Sequence, residues 1–452
     1  MKSYNAADNA EASAGGPAMS AMSAMPDTRA GRGAVYRNYV LLVISIGQIF
    51  SNIDRQLTSI LLTPIKTEFH LSDTQLGFLS GIAFAFCYAI CGLPLGRVAD
   101  RWSRRHLMTI ALVLWSIITT LGGFVRSYAE LLLVRFGVGV GEAGYTPAAL
   151  SMIADYFPPA RRQLAVGLQN VGATVGIMLG LVIGGLVAPV YGWRAAFIVS
   201  GFPGLLVGIL FWLTVEEPER GASEPLPPIA HPAPPLPESL RLLRANKSYV
   251  YIGISAVLQA FSMVALATWM PSFFQRSHHL PLSVIGPLLG LAVILGGAGS
   301  AGGGLVGDRL ARKDAGWPLY MTAMSMVVAI PSMLLTLFLP SAHAAMACYA
   351  LFYFLISFNY GPQIALFTVT VPVRLRALAM SIGMFVGAVI SYGLGPLVTG
   401  ALSDALAPAF GAEALRAAMA LVSFTLLIPA LTTCIAARHL KRDFSWRILK
   451  LD

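Results

Sequence analysis

Residues 96–105 read GRVADRWSRR, and residues 304–313 read GLVGDRLARK. Both follow G-x-x-x-D-R-x-x-R-[RK], and they lie 208 residues apart. A fainter pair, PPARRQLA at 158–165 and PVRLRALA at 372–379, recurs at a similar interval. The same short signal in the same setting half a chain away points to a fold made of two repeats. Membrane proteins that move solutes are commonly built so.

Outward from these loops the chain is a series of apolar runs. The predicted spans are 38–63, 75–98, 107–125, 130–154, 164–189 and 194–215, then 248–272, 283–307, 317–340, 343–368, 378–402 and 413–437. Each is long enough to cross a hydrocarbon core of about 30 Å. Composition agrees. Of the 452 residues, 56% are hydrophobic and 12% charged, and the mean hydropathy is +0.70. A soluble chain carries about 25% charged residues, so a soluble enzyme, a nucleic-acid binder and a disordered protein are excluded. The expected fold is an all-α polytopic membrane protein, with twelve transmembrane helices in two six-helix bundles related by pseudo-two-fold symmetry.

The domain boundaries follow. Residues 1–34 read as a disordered tail, 35–215 as the N-terminal bundle and 247–437 as the C-terminal bundle. Residues 216–246 hold eight of the 28 prolines and read as a semi-rigid extended linker. Residues 438–452 are a basic tail, where Leu440, Phe444 and Leu451 can share one face of an interfacial helix. Twelve crossings put both termini on one side. That side carries 24 of the 31 Lys and Arg residues and the other side 5, so both termini are expected in the cytoplasm. The net charge of +10 thus reflects topology rather than nucleic acid. Cys87, Cys91, Cys348 and Cys434 lie in apolar runs without metal-ligand spacing, so no metal or cofactor is expected.

In the repeated loops, Gly96 and Gly304 allow a neighbouring helix to come close. Asp100 and Asp308 sit at the membrane edge, where they can face a helix N-terminus of the other half. Arg101, Arg104, Arg105, Arg309 and Arg312 hold the loops, and Asp155 is counted with them. Together they are expected to form a latch that shuts the cytoplasmic side and releases it.

The loop motif resembles the signature of the major facilitator superfamily. Arg135-x-x-x-Gly139 is similar to its fourth-helix motif. Gly176, Gly180, Gly184 and Gly185 are similar to its fifth-helix antiporter motif, with Leu181 where that motif has proline. Asn52-Ile53-Asp54-Arg55-Gln56, LSDTQLG at 71–77, GLPLGRVADR at 92–101, GVGEAG at 139–144 and GWRAAF at 192–197 resemble the spinster-like branch. The resemblance implies alternating access and export of lipid-like or amphipathic organic molecules, often coupled to protons.

Four ionisable groups fall at membrane depth: Asp54, Arg55, Arg135 and Glu142. Such groups are costly and mark pathways. By helical rise, Arg135 is level with Asp54 and is expected to be neutralised by it. Arg55 lies about 100° round the helix from Asp54 and is free to reach Glu142. A buried carboxyl holds its proton more tightly than in water, and an arginine beside it loosens it. Glu142 and Asp54 are therefore the proton-coupling candidates, since every histidine falls in a loop, a span end or a tail. The resemblance implies the same role.

Substrate contact is expected from Arg55, Asn52, Gln48, Arg135 and Tyr145 on one wall. Gln259, Tyr353, Asn359 and Gln363 supply the other, an apolar wall with amides. That pairing suits an amphipathic anion. The expected partners are membrane lipids, protons and such a substrate, with no nucleic acid, for a monomer in a bacterial inner membrane. Proton-coupled uptake of a small organic anion, or a solute sensor that does not transport, are the alternatives.

Overall fold

The computed structural model describes residues 28–221, 223, 235–372 and 375–450. Among them, nine helical runs are long and apolar enough to cross a membrane. Two of these double back at a glycine. Pro159–Thr214 turns at Gly192 (φ 83°), giving helices 5 and 6. The run 378–440 turns at Gly411 (φ 52°), giving helices 11 and 12. Both angles lie in the left-handed region that side chains avoid. Tyr128–Glu142 and Tyr145–Tyr156 together make helix 4. Twelve crossings result, six before the linker and six after it.

The remaining crossings are helix 1 (Thr28–Ile60), helix 2 (Asp73–Ser80 and Ile82–Arg101) and helix 3 (Arg104–Leu121). Helices 7, 8 and 9 are Lys247–His278, Leu282–Ala311 and Trp317–Phe338. Helix 10 is Ala342–Ser357 with Tyr360–Thr370. Helix 1 begins and helix 12 ends on one face, called here the terminal face, and the opposite one is the distal face. Large apolar side chains such as Leu133, Leu213, Met324 and Leu431 stand out from the bundle. They would be unfavourable in water and are suited to lipid.

Helix 5 explains how the N-terminal bundle closes. Gly172, Gly176, Gly180 and Gly184 form a four-residue stripe laid on helix 1. A Cβ at Gly180 would come within 2.8 Å of the Ile53 carbonyl oxygen, and one at Gly176 would strike the Ile49 carbonyl. Gly185 turns the other way and meets Gly286 of helix 8, 2.9 Å from where its own Cβ would stand. The helix-5 motif therefore lets three backbones touch.

Two expectations change on the terminal face. The linker is not extended throughout, because Leu236–Ala245 is helical. It buries Ser239 and Leu243, the latter in a cluster with Tyr249, Val371 and Leu375. Asn246 then caps helix 7 by accepting from the Tyr249 amide at 2.9 Å. Leu440 does not face lipid in an interfacial tail. It is fully buried with Ile252 and Leu319 in the C-terminal bundle, while the side chains of Phe444 and Leu451 lie outside the described residues. The tail read as 1–34 lies mostly outside them too.

Gly176→Val is expected to destabilise the purified protein by about 1–3 kcal/mol through overpacking. Gly304→Ala meets open space within 4 Å and should melt like the wild type. Thermal unfolding in detergent, followed by intrinsic fluorescence, checks both.

Candidate functional site

Helix 1 presents Ser51 and Arg55 to Glu142 of helix 4, and Asp54 to helix 3. Arg55 donates to Glu142 Oε2 from Nε at 3.0 Å and from Nη2 at 2.6 Å. Ser51 donates to the same oxygen at 2.8 Å. The other oxygen, Oε1, is buried without a hydrogen-bond partner. The Glu142 side chain is 1% exposed, whereas Arg55 is 23% exposed and forms the wet side of the pair. Helix 4 is interrupted just after Glu142, at Ala143 and Gly144.

Asp54 faces helix 3 instead. Its Oδ2 accepts from the Thr119 hydroxyl at 2.9 Å, and its Oδ1 is orphaned. The expected Asp54–Arg135 ion pair is not formed. Arg135 is buried with its Nε unpartnered and its guanidinium 5.2 Å from the Phe84 ring centroid. Phe84 also carries Arg55, at 4.9 Å, and Tyr88 carries it at 5.0 Å. Two cations thus share one ring face system on helix 2, which stabilises a guanidinium that has lost its water.

The other candidates are placed as follows. Gln48 and Asn52 border Arg55 on helix 1, and the Asn52 amide donates to the Gln48 carbonyl at 2.8 Å. Tyr145 is 1% exposed. It donates to the Ile44 carbonyl at 2.7 Å and stands edge-on to Trp115, so it ties helix 4 to helices 1 and 3. Gln259, Asn359 and Gln363 are buried inside the C-terminal bundle. Gln259 donates to Ile356 O at 2.9 Å, Ser325 donates to Asn359 Oδ1, and Gln363 donates to Ser255 at 3.3 Å. Tyr353 is buried between Tyr349 and helix 8.

The latch residues divide. Arg104 is buried and bonds to Asp155, to Ser151 at 2.9 Å and to Glu217 at 2.8 Å. Arg105 donates its amide to Glu217 at 2.7 Å and its guanidinium to the Trp212 carbonyl. This clamp lies wholly within the N-terminal half. Asp100, Arg101, Asp308, Arg309 and Arg312 are exposed. Cβ atoms on Gly96 and Gly304 would meet nothing within 4 Å. Among the described residues, the charges of these two loops form no ion pair across the halves on the terminal face. Glu217, which no sequence signal marked, lies outside the membrane spans. Burial opposes its charge, but the Arg105 amide, Arg104 and Ser103 outweigh that and hold its carboxyl below the usual range.

The distal face is shut by a cluster that the motif reading left out. Asp73, 3% exposed, accepts from both Arg276 amino nitrogens at 2.8 and 2.9 Å, from Ser403 at 2.7 Å and from Lys66 at 2.5 Å. Asp404 of helix 11 accepts the first free amides of helix 2, Asp73 N at 3.0 Å and Thr74 N at 2.7 Å. A carboxylate of one half thus caps a helix of the other, where the helix dipole favours negative charge. Ser59 donates to Thr268 O at 2.8 Å, joining helices 1 and 7. The visible signal was the S-x-x-Q capping box at Ser72–Gln75. It placed Asp73 at a helix start but not opposite Arg276.

A twelve-helix body of two halves pinned together on the distal face, with a buried ion pair at membrane depth, has the architecture of a secondary transporter. The Major Facilitator Superfamily model matches residues 44–396, and the chain belongs to that superfamily. An MFS-type efflux pump of Mycolicibacterium smegmatis is 32% identical over 408 residues, covering 89% of this chain and 92% of the pump. The solved bacterial homologue of the human lysosomal transporter spinster, inward-facing and unoccupied, superposes with a TM-score of 0.83 at 28% identity. It covers 90% of this chain and 98% of its own. Protein spinster homolog 1 of Mus musculus is 32% identical over 248 residues, covering 53% of this chain and 46% of its own.

Asp73→Asn removes the charge that holds Arg276 and Lys66. Distal opening should follow. In a background without the four native cysteines, Ser272→Cys should react several-fold faster with an impermeant thiol reagent added from the distal side. Equal rates with and without Asp73→Asn would show that the cluster does not hold the gate.

Proposed function

We propose that this protein is a proton-coupled exporter of amphipathic organic molecules, working by alternating access in a bacterial inner membrane. The observation that carries the reading is the asymmetric bonding of Glu142. Three hydrogen bonds converge on Oε2, while Oε1 is bare. A proton arriving at Oε1 would cancel the charge that binds Arg55 without displacing any donor. Arg55 would then be free for an anionic head group, because arginine itself stays charged. Asp54, with Arg135, Arg55 and Glu142 around it, is a second carboxyl that can take a proton.

The direction rests on the similarity to an efflux pump and on the excess of Lys and Arg that makes the terminal face cytoplasmic. With that orientation the repeated loops face the cytoplasm and the Asp73 cluster faces out. The exposed Asp100 and Asp308 are then latch groups awaiting closure. Uptake of a small organic anion is the second reading. Arg55 alone can bind such an anion, and a Bacillus subtilis hexuronate transporter is 25% identical over 277 residues.

In proteoliposomes, an imposed pH gradient should drive substrate one way and its reversal the other. Glu142→Gln should exchange substrate but lose the response to the gradient. A full response in that variant would remove Glu142 from the coupling role. Substrate affinity should also rise as pH falls in the wild type, and Glu142→Gln should bind tightly at every pH. Affinity flat with pH in the wild type would overturn the competition between proton and substrate for Arg55.

A further inference from the structure

Helix 11 is not a uniform α-helix. Between Arg376–Gly387 and Gly395–Phe410 it winds as a π-helix over Ala388–Leu394. A widened turn leaves helical hydrogen bonding strained and re-aims side chains, and it persists where something holds it. Two contacts hold this one. The Ser391 hydroxyl donates to the Val257 carbonyl of helix 7 at 2.9 Å. On the other side Gly393 lies against helix 2, at the point where Gly81 (φ −105°, ψ −94°) breaks that helix. A Cβ at Gly81 would strike the Gly393 carbonyl, and one at Gly393 would sit 3.5 Å from Ala85 Cβ. Two irregular turns, one from each half, are thus fitted together.

Tyr392 lies between these two anchored residues and is 46% exposed. Its surroundings are polar. The stretch of helix 2 that Gly393 touches continues one turn on into Phe84 and Tyr88, the rings that carry Arg55. The Tyr88 ring centroid is 5.0 Å from the Arg55 guanidinium, and the Tyr392 carbonyl lies 3.2 Å from where a Gly81 Cβ would stand, two turns earlier on the same helix. Tyr392 is therefore a phenol brought by the C-terminal half to the one exposed cation of the N-terminal half's buried cluster.

We infer that the π-turn places Tyr392, together with Tyr88, as a hydroxyl donor to an oxyanion head group held by Arg55, so that an amphipathic phosphate, sulfate or carboxylate is gripped by both halves at once. Arg55 supplies two parallel N–H groups, and a head with several oxygens leaves others for the two phenols. The inference rests on the reading of Arg55 as the substrate's anion contact, and it adds the residue that makes the contact bridge the halves.

The test uses probes with one tail and two heads, dodecyl phosphate and dodecyltrimethylammonium, titrated against the purified full-length protein in a maltoside detergent at mildly acidic pH. The wild type should bind dodecyl phosphate in preference. Tyr392→Phe keeps the ring and loses only the hydroxyl. It should weaken dodecyl phosphate about tenfold, the scale of one hydrogen bond to a charged group, and leave the ammonium probe unchanged. Tyr88→Phe should do the same, and Arg55→Ala should abolish the preference. If Arg55→Ala loses dodecyl phosphate and Tyr392→Phe does not, the inference is overturned and the reading of Arg55 stands. Equal weakening of both probes by Tyr392→Phe would mean that the ring only shapes the cavity, and overturns it too. An Arg55→Ala variant that binds dodecyl phosphate like the wild type removes the reading beneath it.

Discussion

A carboxylate held out of water, paired with a guanidinium that keeps one side wet, governs the N-terminal half. Bringing two charges into a low-dielectric interior costs several kcal/mol each, and the cost is offset only if geometry and further hydrogen bonds are good. Here Ser51 adds a donor to Glu142, and the rings of Phe84 and Tyr88 receive the flat face of Arg55. The compensation is incomplete by one oxygen. Asp54 Oδ1 shows the same deficit. The neighbourhood is dense in charge yet formally neutral, which limits its cost to the fold.

The two halves use polarity for different ends. In the C-terminal half the Gln259 amide is spent on the Ile356 carbonyl, and Gln363, Ser255 and Thr433 are linked by hydrogen bonds between helices. That network fixes helix packing and leaves no charge to titrate. In the N-terminal half the clamp of Arg104, Asp155 and Glu217 fastens the exit of helix 6 to the start of helix 3. Because the Glu217 carboxyl is held below its usual range, this clamp is intact above the ordinary carboxylate range. It fails only as pH falls through that lowered value. It therefore serves as a fixed brace across the pH range in which a membrane gradient operates.

Span number and the buried charges were legible because each leaves a mark in one dimension. Length sets crossings, and an Arg or Glu in an apolar run has few explanations. The helix-5 glycines were legible as a motif, and the structure adds what they touch. Other features were not legible. Asp73 meets Arg276 across 203 positions, and nothing local encodes that meeting. Gln259 and Asn359 look alike to a sequence reader whether they face a cavity or a neighbouring helix. Helical rise puts Asp54 and Arg135 at one depth, but groups at one depth pair only if their azimuths agree, and Thr119 offered a partner. The breaks at Gly81 and Ala388–Leu394 also escaped. Apolar periodicity is blind to one extra residue in a turn, and a polar backbone at that depth is tolerated only beside a cavity.

The contact between Gly185 and Gly286 can be considered as a fulcrum. It is backbone against backbone, stiff and small, and it lies near the distal end of helix 5. From there to Pro159 the helix runs 26 residues, a lever arm of about 39 Å. A rocking of about 10° about such a point would move the far end by roughly 7 Å, while the fulcrum hardly shifts. Mechanical advantage of this kind lets a change of one bond at mid-membrane be read as a wide displacement at one face. It also means that the seal at the other face need part by only an ångström or two to begin to yield.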